Sequence, residues 1–183
     1  MNRVVTLGGL HGTGKSSVAD RIAKELRLRR TSAGTIFRKM AADKGMTLEE
    51  FSQYAEDHLE IDSELDSTMT REAEKGNIVL DGQLAAWMAK DFADFRILLT
   101  APEEERIRRI AERDDVNFEH ARHETLAREE SERERYKEYY GIDVNDHSIY
   151  DLVLNTNKFD LDDVVNILIN AIKILWKDKT DNP

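Results

Sequence analysis

Apolar residues along this chain fall into two rhythms. Short, nearly continuous runs stand at Val4–Leu7, Ile78–Leu80, Ile97–Leu99 and Leu152–Leu154, with a weaker one at Arg29–Thr31. Runs of this length, bounded by polar or small residues, are the pattern of parallel strands covered on both faces. Between them the apolar positions recur at helical spacing, as at Val18, Ile22, Ala23 and Leu26. The alternation predicts an α/β fold with a five-stranded parallel sheet and helices on both faces, a three-layer, doubly wound arrangement. The predicted strands run out at Gly8, Ser32, Asp81, Thr100 and Asn155. Open sheets of this kind gather their ligands at those carboxyl ends.

Two stretches are longer than a plain crossover needs. The first, 34–75, carries helical patterns at Thr35–Lys44, Thr47–Ala55 and Ile61–Lys75. Thr47 with Glu50 three residues on has the form of a capping box. The second begins at Pro102, placed as at the first turn of a helix, and stays helical in pattern to about Tyr140. Asp160–Leu175 reads as a final amphipathic helix, and the polar tail KDKTDNP reads as frayed.

The length, 183 residues, suits a single domain. With no cysteine, disulfides, thiolate catalysis and cysteine-built zinc sites are excluded. The first residues lead straight into a strand, so no signal peptide is expected, and no apolar run approaches the roughly 20 residues a membrane helix needs. The expectation is a cytoplasmic monomer. A net charge of −10 argues against a general nucleic-acid binder.

Chemistry enters at Gly8-Gly-Leu-His-Gly-Thr-Gly-Lys-Ser16. Gly9, Gly14, Lys15 and Ser16 have the spacing of a phosphate-binding loop. Glycines let successive N–H groups turn into one concavity, and the following helix adds its positive end. Lys15 is placed to reach the β- and γ-phosphates and Ser16 a magnesium ion. Strand, loop and helix occur in the required order, which implies a bound nucleoside triphosphate.

Other candidates sit at the same sheet edge. Ser32-Ala33-Gly34 lets a second ligand approach the backbone, and Arg38, one helical turn on, can fork onto a second phosphate or lie solvated. Asp81 ends an apolar strand, where it can hold a water on magnesium or simply make an Asp-Gly turn. Arginines crowd the second excursion at 106, 108, 109, 113, 122, 128, 133 and 135. Arg106, Arg109 and Arg113 share one helix face, and Arg128 and Arg135 can share another. Interleaved glutamates make surface ion pairs the competing explanation. Asn157-Lys-Phe-Asp160 has the form of a guanine-reading element, yet no Asp-x-x-Gly switch follows the third strand. His120 and His123 have no further ligands in pattern and read as surface residues, and Trp87 as core or pocket wall.

Taken together, GGLHGTGKSS, TSAGTIFRKMA, KGMTLEEFSQYAED, NIVLDGQLAAWMA, REESERERYKEYYGID and SIYDLVLNT resemble the archaeal type of cytidylate kinase, within the nucleoside monophosphate kinases, over roughly residues 3–175. The resemblance implies a P-loop kinase core (1–33, 76–112, 136–178), a helical monophosphate-binding insertion (34–75) and a short helical lid (about 113–135). It implies ATP held by Gly8, Gly9, Leu10, His11, Gly12, Thr13, Gly14, Lys15 and Ser16, with its base passing Asn155 and Thr156. CMP or dCMP would meet Ser32, Gly34, Arg38, Asp81 and Gln83. Magnesium falls to Ser16 and Asp81. Lys15, Arg128, Arg133 and Arg135 become the catalytic cations. Gln83 departs from the pattern, because many archaeal cytidylate kinases read Gly-Arg-Leu there. Adenylate, uridylate and shikimate kinases, and a GTP-binding switch, are the alternatives; shikimate kinases tend to carry Asp-x-Asp where this chain has Ser32-Ala-Gly-Thr35.

Overall fold

Successive side chains of a strand point to opposite faces, and here that alternation decides the layers. In the computed structural model, which describes residues 3–178, five parallel strands stand in the order β2-β3-β1-β4-β5. They are β1 (Val4–Gly8), β2 (Arg29–Ser32), β3 (Ile78–Asp81), β4 (Phe95–Thr100) and β5 (Leu152–Asn155). Each extends at least one residue beyond its apolar run, because backbone pairing continues past the residues that need burial. Val5, Leu7, Val79, Ile97 and Leu99 pack with Val18 and Ile22 of α1 (Lys15–Leu26) and with Val164, Leu168 and Ile172 of α8 (Leu161–Asp178). Val4, Ile78 and Leu80 pack on the other side with Met69 and Ala73 of α4 (Leu59–Glu74) and Ala85 of α5 (Ala85–Met88). Leu168 is wholly buried, so truncating it to Ala costs about 2–5 kcal/mol.

Register sets the functional edge. Leu7 and Ser32 are both level with Asp81, Gly8 is level with Leu98, and Thr100 with Asn155. The ends of all five strands therefore open on one rim.

Both long excursions leave this rim. The first folds as α2 (Ala33–Asp43), α3 (Leu48–Glu56) and α4 around Phe37, Ala41, Phe51, Ala55, Ile61 and Leu65. The Phe37 and Phe51 rings lie 4.8 Å apart. The capping box is present in full: Glu50 N–H donates to Thr47 Oγ1 at 3.1 Å and Thr47 N–H to Glu50 Oε2 at 2.8 Å. The second excursion becomes two helices, α6 (Glu103–Asp114) and α7 (Phe118–Tyr140). Asp115 turns left-handed at φ 54°, and Asn117 restarts the helix by accepting the His120 N–H at 2.9 Å. Pro102 is the N-cap of α6, one residue earlier than a first-turn proline. The last helix outruns its predicted end and takes in Lys177 and Asp178; the remainder of the polar tail, 179–183, lies outside the described residues. Among the described residues no helix is long and apolar enough to cross a membrane.

Candidate active site

The loop between β1 and α1 can be built only from glycine at its tightest points. Gly9 has φ +134° and Gly12 φ +78°. A Cβ on Gly9 would lie 2.3 Å from the Leu99 carbonyl oxygen, and one on Gly12 2.4 Å from that of Arg106. The loop is therefore wedged between β4 and α6. It delivers the chain to Gly14, the N-cap of α1, where no side chain satisfies the first N–H groups and no acidic residue occupies the first turn. An uncapped helix start with no acidic residue in its own first turn is a receptacle for an anion.

Lys15 opens that helix. Its Nζ donates to the Leu10 carbonyl at 2.8 Å, closing the concavity on itself. Burial lowers its pKa to about 8, against the opposing pull of Asp81, Glu132 and Glu129. Beside it, Ser16 Oγ lies 3.4 Å from Asp81 Oδ1, which also accepts from Ser32 Oγ at 2.9 Å. The other Asp81 oxygen takes Nε and Nη2 of Arg30 at 2.9 and 2.5 Å. Asp81 is 2% exposed, so its charge is oriented and compensated before any ligand arrives.

Ser32 also caps α2, accepting the Thr35 N–H at 3.4 Å. One turn later Arg38 donates to Thr35 Oγ1 at 3.2 Å, and its guanidinium lies 3.6 Å from where a Cβ on Gly34 would stand. Partial burial, then the neighbouring Arg113 and Arg128 guanidiniums, hold Arg38 below the usual arginine range. Cations from α2, α6 and α7 thus crowd one region.

Helix α7 grips the loop through His11. The His11 N–H donates to Glu129 Oε1 at 3.0 Å, its carbonyl accepts from Arg106 at 2.7 Å, and its Nε2 meets Glu132 Oε2 at 2.8 Å. Arg106 also pairs with Glu129 at 2.6 Å. Glu132 further accepts from Arg128 Nε at 2.8 Å and from the Gln83 amide. Burial alone would raise the Glu132 pKa; His11, Arg128 and Arg135 outweigh it and hold the carboxyl well below the usual range. For His11 burial prevails over the opposing pull of Glu132 and the pKa falls.

The remaining candidates separate. Arg133 stands on the exposed side of α7 and pairs with Glu130. Arg135 is buried, giving Nε to Asp62 Oδ2 at 2.8 Å and Nη1 to Ser131 Oγ at 2.6 Å. Ser131 in turn reaches Glu56 at 2.6 Å, and the Tyr139 hydroxyl donates to the Glu56 carbonyl at 2.8 Å. That side of α7 is thereby joined to α3 and α4. Thr156 is buried under the loop, its hydroxyl 3.2 Å from the Thr13 carbonyl and 3.0 Å from Arg109, which also reaches the Gly12 carbonyl. Asn155 Oδ1 accepts the Asn157 N–H at 2.9 Å. Asp160, which would read guanine in a switch protein, caps α8 by accepting the Asp163 N–H at 2.8 Å. His120 and His123 are exposed, and His120 pairs with Glu124. Trp87 sets its ring edge-on to Tyr150, 5.6 Å away.

Arg30, Glu129 and Glu132 were not singled out by the sequence pattern, and Arg106 and Arg109 only as members of an arginine-rich helix face. Arg106 and Arg109 carried a usable signal, their shared helix face. Glu129 and Glu132 carried none, lying in a run of alternating charges where surface pairing is the usual outcome.

Comparison with known proteins bears on this geometry. The profile of the Cytidylate kinase-like family matches residues 4–158. The chain belongs to that family. It is 47% identical to the cytidylate kinase of Methanocaldococcus jannaschii over 177 residues, covering 95% of this chain and 99% of the relative. It is 45% identical to that of Staphylothermus marinus over 175 residues, covering 96% and 99%. Among solved structures, it is similar to a gluconokinase from Sinorhizobium meliloti, with TM-score 0.64 and 11% identity over 100% and 98% of the two chains. It is also similar to a shikimate kinase from Acinetobacter baumannii in complex with shikimate, with TM-score 0.58 and 15% identity over 94% and 93%. These distant structures share the kinase fold.

Proposed function

We propose that this protein is a cytidylate kinase, transferring the γ-phosphate of ATP to CMP or dCMP to give ADP and CDP or dCDP. The observation that carries the reading is that Arg128 of α7 lies within electrostatic reach of both Lys15, at the uncapped start of α1, and Arg38 of α2, with Asp81 of the sheet rim facing both. One cationic anchor suits a single polyphosphate; this arrangement suits two anions brought together. The relatives named cytidylate kinase supply the acceptor.

In this reading 34–75 is the acceptor-binding unit, about 113–135 the lid, and the rest the core. The loop from Gly8 to Ser16 holds the ATP phosphates, with its adenine beside Asn155. Thr156 supports the loop from beneath. Ser32, Gly34, Arg38 and Gln83 face the monophosphate. Magnesium fits the residues present: Ser16 and Asp81 offer oxygens to a hard cation, and Mg²⁺ is commonly held by only one or two protein oxygens together with phosphate and water. Among the described residues there is no cluster of three or more His, Cys, Asp or Glu that would form an all-protein cage. When bound, the ion neutralises charge on the β- and γ-phosphates.

The acceptor is a phosphate oxygen already anionic at pH 7, so the reaction needs no general base. Its difficulty is electrostatic, and Lys15, Arg38 and Arg128 address it by stabilising charge as it spreads over the transferring group. Arg128, whose terminal nitrogens have no partner among the described residues, is the strongest candidate for the clamp; Arg135 and Arg133 contribute structure and surface charge. Free nucleotides as substrates and a cysteine-free chain fit the cytoplasm.

The test follows ADP release from ATP and magnesium with CMP, dCMP, UMP, AMP and shikimate in turn. Turnover with CMP and dCMP well above the others supports the reading. Faster turnover with AMP or shikimate replaces the acceptor, and no turnover with any of them removes the kinase assignment.

A further inference from the structure

Glu132 is 4% exposed, yet both its oxygens are engaged by groups from different parts of the chain. Oε1 accepts the Arg128 Nε–H, and Oε2 meets His11 of the phosphate loop and Gln83 beyond β3. Among the described residues this is the only hydrogen bond Arg128 makes. Both terminal guanidinium nitrogens, the fork that grips a phosphate, are left without a protein partner. The guanidinium carbon stands over the Phe37 ring, 5.4 Å from its centre. An arginine held by Nε and flanked by a ring presents its remaining donors in a restricted direction.

We propose that Glu132 is a positioning residue for phosphoryl transfer: it holds Arg128 by Nε so that the free fork meets the transferring phosphate, and it ties that placement to the phosphate loop through His11. The proposal rests on the cytidylate kinase reading and on Arg128 as the clamping arginine. It also gives Gln83 a reason. An arginine there would bring a second guanidinium to the carboxylate that orients Arg128, and the two would compete. A neutral amide fills the place and shares Glu132 without displacing Arg128.

The experiment is a double-mutant cycle on the single-turnover rate with saturating ATP and CMP, using Glu132→Gln, Arg128→Ala and the double variant. Nucleotide affinities are measured alongside by equilibrium titration. Each single change is expected to slow transfer by about 10²-fold. If Glu132 acts through Arg128, the double variant is slower than Arg128→Ala by no more than about twofold, and ATP and CMP affinities stay within about threefold of wild type. Glu132→Asp, which keeps the charge on a shorter stem, recovers part of the rate. Multiplying losses, near 10⁴-fold in the double variant, would overturn the proposal and leave the kinase reading intact. A wild-type protein without turnover would overturn both. Should Glu132→Gln fail to fold, Gln83→Arg decides: transfer slowed by about tenfold supports the competition, and transfer unchanged or faster overturns it.

Discussion

The phosphate loop and helix α7 meet at His11, but they are made of opposite materials. The loop is backbone: glycines at positive φ, a helix start without a cap, and one lysine. Helix α7 contributes by side chains alone, and its charged residues divide by a turn's rotation into clamp, buried strut and solvated surface. Backbone-built function survives in sequence as spacing, since only glycine fits where a Cβ would strike a carbonyl. Side-chain function on a helix depends on what packs opposite, and in α7 that is set by the loop, α3, α4 and Gln83 together.

The contrast is most exposed to test at Lys15. Lys15→Ala is expected to lower kcat by about 10³-fold, while CMP binding, measured by titration, changes less than about threefold. A loss confined to CMP affinity would move Lys15 out of the reaction. On the α7 side the largest effect is structural. Arg135→Ala leaves the Asp62 carboxylate buried and unpaired, costing about 3–5 kcal/mol in denaturant unfolding. A loss under about 1 kcal/mol would mean that the pair is open to water in solution.

Smaller effects sharpen the comparison. Gly12→Ala should weaken ATP binding and stability more than Gly14→Ala. Both residues have positive φ, costing about 1–2 kcal/mol for an alanine, but Gly12 adds contact with the Arg106 backbone while Gly14 faces open space. Equal effects would show that the wedge against α6 is not felt. The pH dependence concerns Lys15 again. With its pKa lowered to about 8 by burial, the free enzyme carries the ammonium below that pH and loses it above. A polyphosphate binds the charged form, so kcat/KM for ATP should be level up to about pH 8 and then fall by up to about tenfold per unit. A profile level to about pH 10 would place the lysine in open water.

Much of the fold was legible before the structure. The apolar runs, the capping box at Thr47 and the positive glycine loop all express local rules that tertiary packing left standing. The break at Asp115–Asn117 was not, since a left-handed aspartate leaves no mark in a charged helical run. At the candidate site, the meeting of Ser16, Ser32 and Asp81 could be read because each belongs to a strand end or to the loop and helix start that follow one. Arg30 could not: as a strand residue its side-chain target, Asp81 on the adjacent strand, depends on sheet order. Arg133 and Arg128 are five residues apart in one run of alternating charge, and only the packing of α7 tells them apart. Gln83 looked like a deficit of charge until His11 and Glu132 appeared beside it.

The measurement that goes most directly to the division within α7 is the single-turnover rate of Arg128→Ala beside Arg133→Ala, with ATP and CMP saturating. Arg128→Ala should fall by about 10²- to 10³-fold, while Arg133→Ala, exposed and paired only with Glu130, should remain within about twofold of wild type. Equal losses, or a larger loss at Arg133, would contradict the account.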